Sequence, residues 1–174
     1  RDFTKGNITR QLVVFALPLF LSNMLQVFYN MVDMLVVGKV MGQIGLSAVS
    51  VGGDVTAFMT FVSIGFSSAG QVIIARYIGK KQEEKIGRFV STMSLFLFIS
   101  ATIISIVCIV FRHGILDLMN TPDAAFSEAL AYSTICACGL IFIYGYNTVS
   151  AILRGMGNSK HPFIFIAIAA VTNV

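Results

Sequence analysis

Residues 10–38 read RQLVVFALPLFLSNMLQVFYNMVDMLVVG. An arginine opens the stretch, a glycine closes it, and between them a single charged side chain occurs, Asp33. A helix needs roughly 20 predominantly apolar residues to cross hydrocarbon, so this stretch spans a membrane on its own. A transmembrane strand would show about ten residues of alternating polarity, and nothing here alternates. Its length, the internal Pro18 and Asp33, and the lack of a small-residue cleavage site behind it exclude a cleavable signal peptide.

Three further apolar spans cover residues 46–75, 89–111 and 127–153, and a fifth begins at Pro162 and is cut off at Val174. The expected fold class is therefore all-α and integral to the membrane: four complete transmembrane helices plus the start of a fifth, in one lobe over residues 1–174. Composition excludes the soluble alternatives. Hydrophobic residues make up 56% and charged residues 11%, against roughly 45–50% and about 25% in a soluble domain. Twenty charged side chains do not cover the surface of a soluble domain of this size. A half-span of about 13 residues leaves carbonyls facing lipid unless other helices cover them, so the chain reads as the N-terminal part of something longer.

Charge position gives orientation. Arg1, Lys5 and Arg10 precede the first span; Arg76, Lys80, Lys81, Lys85 and Arg88 follow the second; Arg154 and Lys160 follow the fourth. That places ten of the twelve basic residues on one side, with Lys39 and Arg112 on the other beside Asp117, Asp123 and Glu128. The positive-inside rule then predicts a multi-pass protein of the cell membrane with a cytoplasmic N-terminus. The net charge of +4 is topological. The lipid bilayer is the expected partner and nucleic acid is not.

The breakers fit this map. Gly42 and Gly45 punctuate a short outer loop. Thr121-Pro122-Asp123 predicts a helix start, with Thr as N-cap and Pro at the first helical position. Gly155, Gly157 and Asn158 close the fourth helix, and His161-Pro162 opens the fifth. Gly65 and Ala69 form a small-xxx-small pair that would let the second helix pack closely.

Two acids fall inside the spans away from their ends, Asp33 and Asp54. An ionised carboxylate near mid-bilayer costs at least a few kcal/mol, so it should face a bundle interior or water. Asp33 lies about five residues, roughly 7–8 Å, from the outer end of its span. At about 100° per residue, Ser22, Gln26, Tyr29, Asn30 and Asp33 share an arc of roughly 100°. Ser, Asn and Gln on such a stripe can be satisfied by neighbouring helices alone. A carboxylate with no basic residue inside any span is harder to explain that way and reads as functional. Asp54 sits near the outer end of the second span with Ser47 and Ser50 on its face, an interfacial position. Pro18, about four turns before Asp33, removes one backbone hydrogen bond and predicts a kink and a candidate hinge.

The remaining candidates carry little. Cys108, Cys136 and Cys138 have no zinc spacing and read as small buried hydrophobes. His113 and His161 lie at opposite membrane faces. Asn7-Ile8-Thr9 matches a glycosylation sequon on the side assigned to the cytoplasm. Intramembrane aspartyl proteases carry Tyr-Asp on one helix and Gly-x-Gly-Asp on another. Here Val32 precedes Asp33, and residues 51–54 read Val-Gly-Gly-Asp. The pattern fails twice, and no enzyme is expected.

Several stretches, in linear order, resemble the multidrug and toxic compound extrusion (MATE) transporters. They are Ala16-Leu17-Pro18, Tyr29-Asn30-Met31-Val32-Asp33 with Val37-Gly38 behind, and Leu46-Ser47-Ala48-Val49. Further on come Ala75-Arg76-Tyr77-Ile78-Gly79, Leu118-Met119-Asn120-Thr121-Pro122 and Leu153-Arg154-Gly155-Met156-Gly157-Asn158. The resemblance implies a twelve-helix transporter of two six-helix lobes, of which this chain is most of the N-terminal lobe. It implies multidrug efflux: extrusion of cationic and amphipathic organic compounds in exchange for H+ or Na+, with no other cofactor. Asp33 matches the family's first-helix aspartate, Asn173 a fifth-helix asparagine, and Tyr29 and Pro18 first-helix positions. Any Na+ would then sit at Asp33 and Asn173, with Gln26 and Asn30 on the cavity wall. Two other functions stay open. A lipid-linked oligosaccharide flippase of the same superfamily would line its cavity with arginines, and no Arg lies inside a span. A non-transporting membrane scaffold would have no need of Asp33.

Overall fold

The computed structural model describes residues 7–173, without the side chains of Ile8 and Asn173. All secondary structure among the described residues is helical: α1 Ile8–Gly79, α2 Glu83–Leu118, α3 Asp123–Gly155 and α4 Lys160–Asn173. Three of these contain stretches long and apolar enough to cross a membrane, Thr9–Gly79, Glu83–Leu118 and Asp123–Gly155, and α4 is a shorter apolar helix.

At 72 residues, a straight α1 would be about 108 Å long, more than three times the hydrocarbon thickness. It is not straight. Gly42 has φ 61 and ψ −147, a backbone conformation that essentially only glycine accepts. Residues 11–15 of the first arm share a groove with residues 71–76 of the second, so the chain doubles back at Gly42. Near the turn, a Cβ on Gly38 would sit 3.3 Å from the Leu46 side chain. The outer loop expected around Gly42 and Gly45 is thus reduced to Gly42; Gly45 is helical and buried.

The helices also outrun the apolar spans. α2 begins at Glu83 and ends at Leu118, and α3 begins at Asp123, several residues beyond the expected 89–111 and 127–153. The added turns carry Glu83, Glu84, Lys85, Arg88, Asp117 and Asp123, side chains suited to the headgroup region, which makes the bilayer about 40–45 Å thick. Three helices end alike. Lys81 (φ 55), Asn120 (φ 52) and Gly157 (φ 77) are left-handed. The following amide bonds back five residues in each case: Gln82 to Tyr77, Thr121 to Leu116, and Asn158 to Leu153, at 2.9–3.2 Å. These are Schellman caps. Thr121 does not cap α3. Its hydroxyl donates to the Leu116 carbonyl at 2.8 Å, completing the end of α2, and Pro122 lies outside the helix that begins at Asp123.

The chain packs as two compact units. In the unit of residues 33–66 and 94–148, Ala48, Val55, Leu116, Ala125 and Ala129 form the core, with Met59, Ile115 and Phe126 packed on it. Ser105 donates to the Ala137 carbonyl at 2.7 Å, Tyr144 to the Met59 carbonyl at 2.8 Å, and Asn147 to Ser63 Oγ at 3.3 Å. Each bond joins two helices and removes a polar group from lipid. Gly52 lies against the Tyr132 ring.

In the unit of residues 1–32, 67–93 and 149–174, Gly70 lies against Met93, and Tyr77 meets Phe89 edge-on at 6.1 Å. Gly155 lets the last turn of α3 touch α1: a Cβ there would sit 2.9 Å from the Gln71 carbonyl oxygen. The close-packed face of the second arm is therefore Gly52, Ser63, Ser67, Gly70 and Ile74, all buried, while Gly65 and Ala69 are exposed. Those two are not the packing pair that their spacing suggested.

Candidate functional site

The first arm of α1 is turned inside out relative to a soluble helix. Gln11, Phe15, Pro18, Ser22, Gln26, Tyr29, Asp33 and Val37 recur every three or four residues, and all are buried or half-buried. Leu12, Leu17, Phe20, Met24, Val27, Phe28, Met31 and Leu35 between them are exposed. Lipid as solvent explains the inversion, because there the outward face gains nothing by being polar.

Ser22 is buried at 4% exposure, and its hydroxyl donates to the Pro18 carbonyl at 2.8 Å. Pro18 itself sits within continuous helical φ/ψ, so the break in α1 falls at Gly42. Asn30 is exposed, unlike the rest of the stripe. It lies at the edge of the arc, about 40–100° from the other members by helical rotation. Because the helix continues to Gly42, Asp33 lies about 13 Å from the turn by helical rise, farther from the end than the apolar span suggested.

Asp33 is half-buried, and in the same unit the ring of Tyr132 in α3 packs against Gly52 of α1. The sequence reading missed Tyr132. Its signal is not periodicity but the glycine opposite: Gly52 admits the ring, and only the packing reveals that pairing. Beside it, Ser133 is 9% exposed, and its hydroxyl has no partner among the described residues. It borders a cavity of about 20 Å3 with Thr56, Cys108 and Arg112, room for about one water.

Arg112, placed by sequence just past the third span, is half-buried inside α2 and donates to Thr134 at 3.5 Å. Asp54 and Ser50 are exposed. Cys108 is buried, but Cys136 is half-buried and Cys138 exposed, so the expectation of three buried cysteines holds for one. His113 faces Phe126 at 6.2 Å, and His161 pairs with Asn158 at 2.7 Å. Asn7, the sequon asparagine, accepts from the Arg10 amide as the N-cap of α1. No cluster of three His, Cys, Asp or Glu suited to a metal occurs among the described residues. The Asn173 side chain, expected near Asp33, lies outside the described residues.

A carboxylate on the covered face of a helix apolar enough to cross a membrane is a candidate functional site. A family model described as MatE matches residues 18–174, and the chain belongs to that family. Over 172 residues it is 31% identical to the probable multidrug resistance protein YpnP of Bacillus subtilis (strain 168), covering 99% of this chain and 39% of that one. Over 171 residues it is 30% identical to the probable multidrug resistance protein YoeA of the same organism, covering 98% and 37%. The chain thus spans about two fifths of the length of these curated relatives.

Two solved structures share the fold at TM-score 0.86 and 22% identity, over 95% of this chain. One is a MOP superfamily transporter from Pyrococcus furiosus Vc1 (DSM3638), of which this chain covers 36%. The other is an outward-facing multidrug resistance MATE family transporter of the MOP superfamily, of which it covers 37%.

Proposed function

We propose that residues 1–174 form the N-terminal lobe of a plasma-membrane antiporter that extrudes cationic or amphipathic organic compounds in exchange for H+ or Na+. In this reading the two arms of α1 are two spans, α2 and α3 are the third and fourth, and α4 begins the fifth. The one-sided distribution of basic residues supports a cytoplasmic N-terminus, and a second lobe of the same protein completes the cavity.

The observation that carries the reading is the inverted first arm, whose covered face leads from Ser22 to the half-buried Asp33. Asp33 takes up the coupling proton, or holds a small cation through its oxygens. Tyr29, Gln26 and Asn173 supply the surrounding hydroxyl and amide groups, while the exposed Asn30 lies off this face. Occupancy changes the charge of the cavity wall. If occupied and empty states favour different bends at Pro18, cation binding biases inward against outward conformations, as alternating access requires.

The test is ethidium efflux from cells expressing the full-length protein, normalised to membrane-inserted protein. Asp33→Asn keeps size and hydrogen bonding but loses the ionisable group. It should insert normally and lose efflux by about tenfold or more, the loss of coupling between cation entry and the two states. Asp33→Ala should lose efflux equally. Near-normal efflux by Asp33→Asn, with Asp33→Ala failing to insert, would make the residue structural.

A further inference from the structure

We propose that the small cavity between the second arm of α1, α2 and α3, bordered by Arg112 and Ser133, binds one chloride ion. Its lining residues all belong to the unit of residues 33–66 and 94–148, and that unit is described throughout. The space is about 20 Å3, enough for one water or one monatomic ion and not for an organic ligand. Val55, Met59 and Leu116 make most of the wall apolar.

The polar groups on that wall have protons to give and little to give them to. Ser133 is 9% exposed, and its hydroxyl has no partner among the described residues. The threonines of the same unit behave differently. Thr56, Thr60, Thr134 and Thr148 each donate to the carbonyl four residues earlier, at 2.7–2.8 Å. A buried hydroxyl left unpaired costs free energy, which an acceptor seated in the cavity would recover.

Arg112 decides the sign of that acceptor. Its guanidinium donates through Nη1 to Thr134 Oγ1 at 3.5 Å, a long bond to a neutral oxygen. Thr134 follows Ser133 in the chain, so this bond holds the guanidinium at the same turn of α3 as the unpaired hydroxyl. A guanidinium has further N–H groups to donate and always carries its charge. Beside apolar side chains that charge repels a cation and is better compensated by an anion than by water. Arg112 lies six residues before the end of α2 at Leu118, about 9 Å by helical rise, within reach of the aqueous boundary. None of the lining residues belongs to the Ser22–Asp33 face, so this inference does not depend on the transport reading.

Two measurements on the purified full-length protein test it. Melting temperature is followed as chloride replaces gluconate at constant sodium and ionic strength, and crystals grown in sodium bromide are read for anomalous scattering. The wild type should melt higher as chloride rises, and bromide should give an anomalous peak between Arg112 and Ser133. Arg112→Gln should raise the chloride concentration needed for the same shift by about tenfold, the loss of one charge-assisted contact. Ser133→Ala should raise it by about threefold, yet melt no lower than the wild type in gluconate, where the hydroxyl has nothing to bond. This second variant carries the test if Arg112→Gln folds poorly. Lys39→Gln, in the same unit but outside the cavity, should respond as the wild type does. A cavity holding water with no anomalous signal, a wild type indifferent to chloride, an undiminished shift in Ser133→Ala, or an equal loss in Lys39→Gln would each overturn the proposal.

Discussion

The two arms of α1 have similar lengths and comparable apolar content, yet they cover opposite kinds of residue. The first arm turns Ser22, Gln26, Tyr29 and Asp33 inward; the second turns Gly52, Ser63, Ser67 and Gly70 inward. Small residues on the covered face of a membrane helix have a packing explanation. They allow backbones to approach, and van der Waals contact replaces the hydrophobic drive that lipid does not supply. Glutamine, tyrosine and aspartate on the covered face do not pack more closely than leucine would, and the carboxylate is costly. On the proposed transport reading, the difference separates a wall built for stability from one built for chemistry.

The comparison is most easily broken through the second arm. Gly52→Ala would drive a methyl into the Tyr132 ring, and Gly155→Ala would put one 2.9 Å from a backbone carbonyl. Each should destabilise by about 1–3 kcal/mol as an overpacked contact. Gly53→Ala, which meets nothing within 4 Å, should be neutral or gain up to about 1 kcal/mol of helix propensity. Unfolding of the full-length protein in mixed micelles would measure all three. Equal effects at Gly52 and Gly53 would remove the packing account of the second arm.

A smaller effect sharpens it. Tyr144→Phe removes the hydroxyl that bonds the Met59 carbonyl and should cost only about 0.6 kcal/mol, the average for such bonds between membrane helices. A loss of several kcal/mol in the same unfolding experiment would mean that polar bonds, not close packing, hold the second arm.

Much of this was legible because bilayer thickness acts on sequence directly. The covered face from Ser22 to Asp33, Asn30 excepted, and the closing role of Gly157 follow from helical rotation and turn chemistry. Helix ends were less legible, because hydropathy marks where hydrocarbon ends, not where hydrogen bonding does; Glu83 and Leu118 lie past that line. Thr121 misled for a related reason. A threonine before Pro-Asp resembles an N-cap, but a hydroxyl can satisfy the preceding helix as readily as the next. The spacing of Gly65 and Ala69 says that they share a face without saying which face meets a partner. The packing of Tyr132 is a tertiary fact, fixed by the shape of Gly52 on a different helix.

The central claim is that ionisation at Asp33 links cation movement to drug movement. The direct measurement is exchange of a fluorescent organic cation by the full-length protein in proteoliposomes, with and without an imposed proton or sodium gradient. The account predicts that one of the two gradients accelerates wild-type exchange and that Asp33→Asn runs at its gradient-free rate under both. An Asp33→Asn protein accelerated by the same factor as the wild type would contradict it.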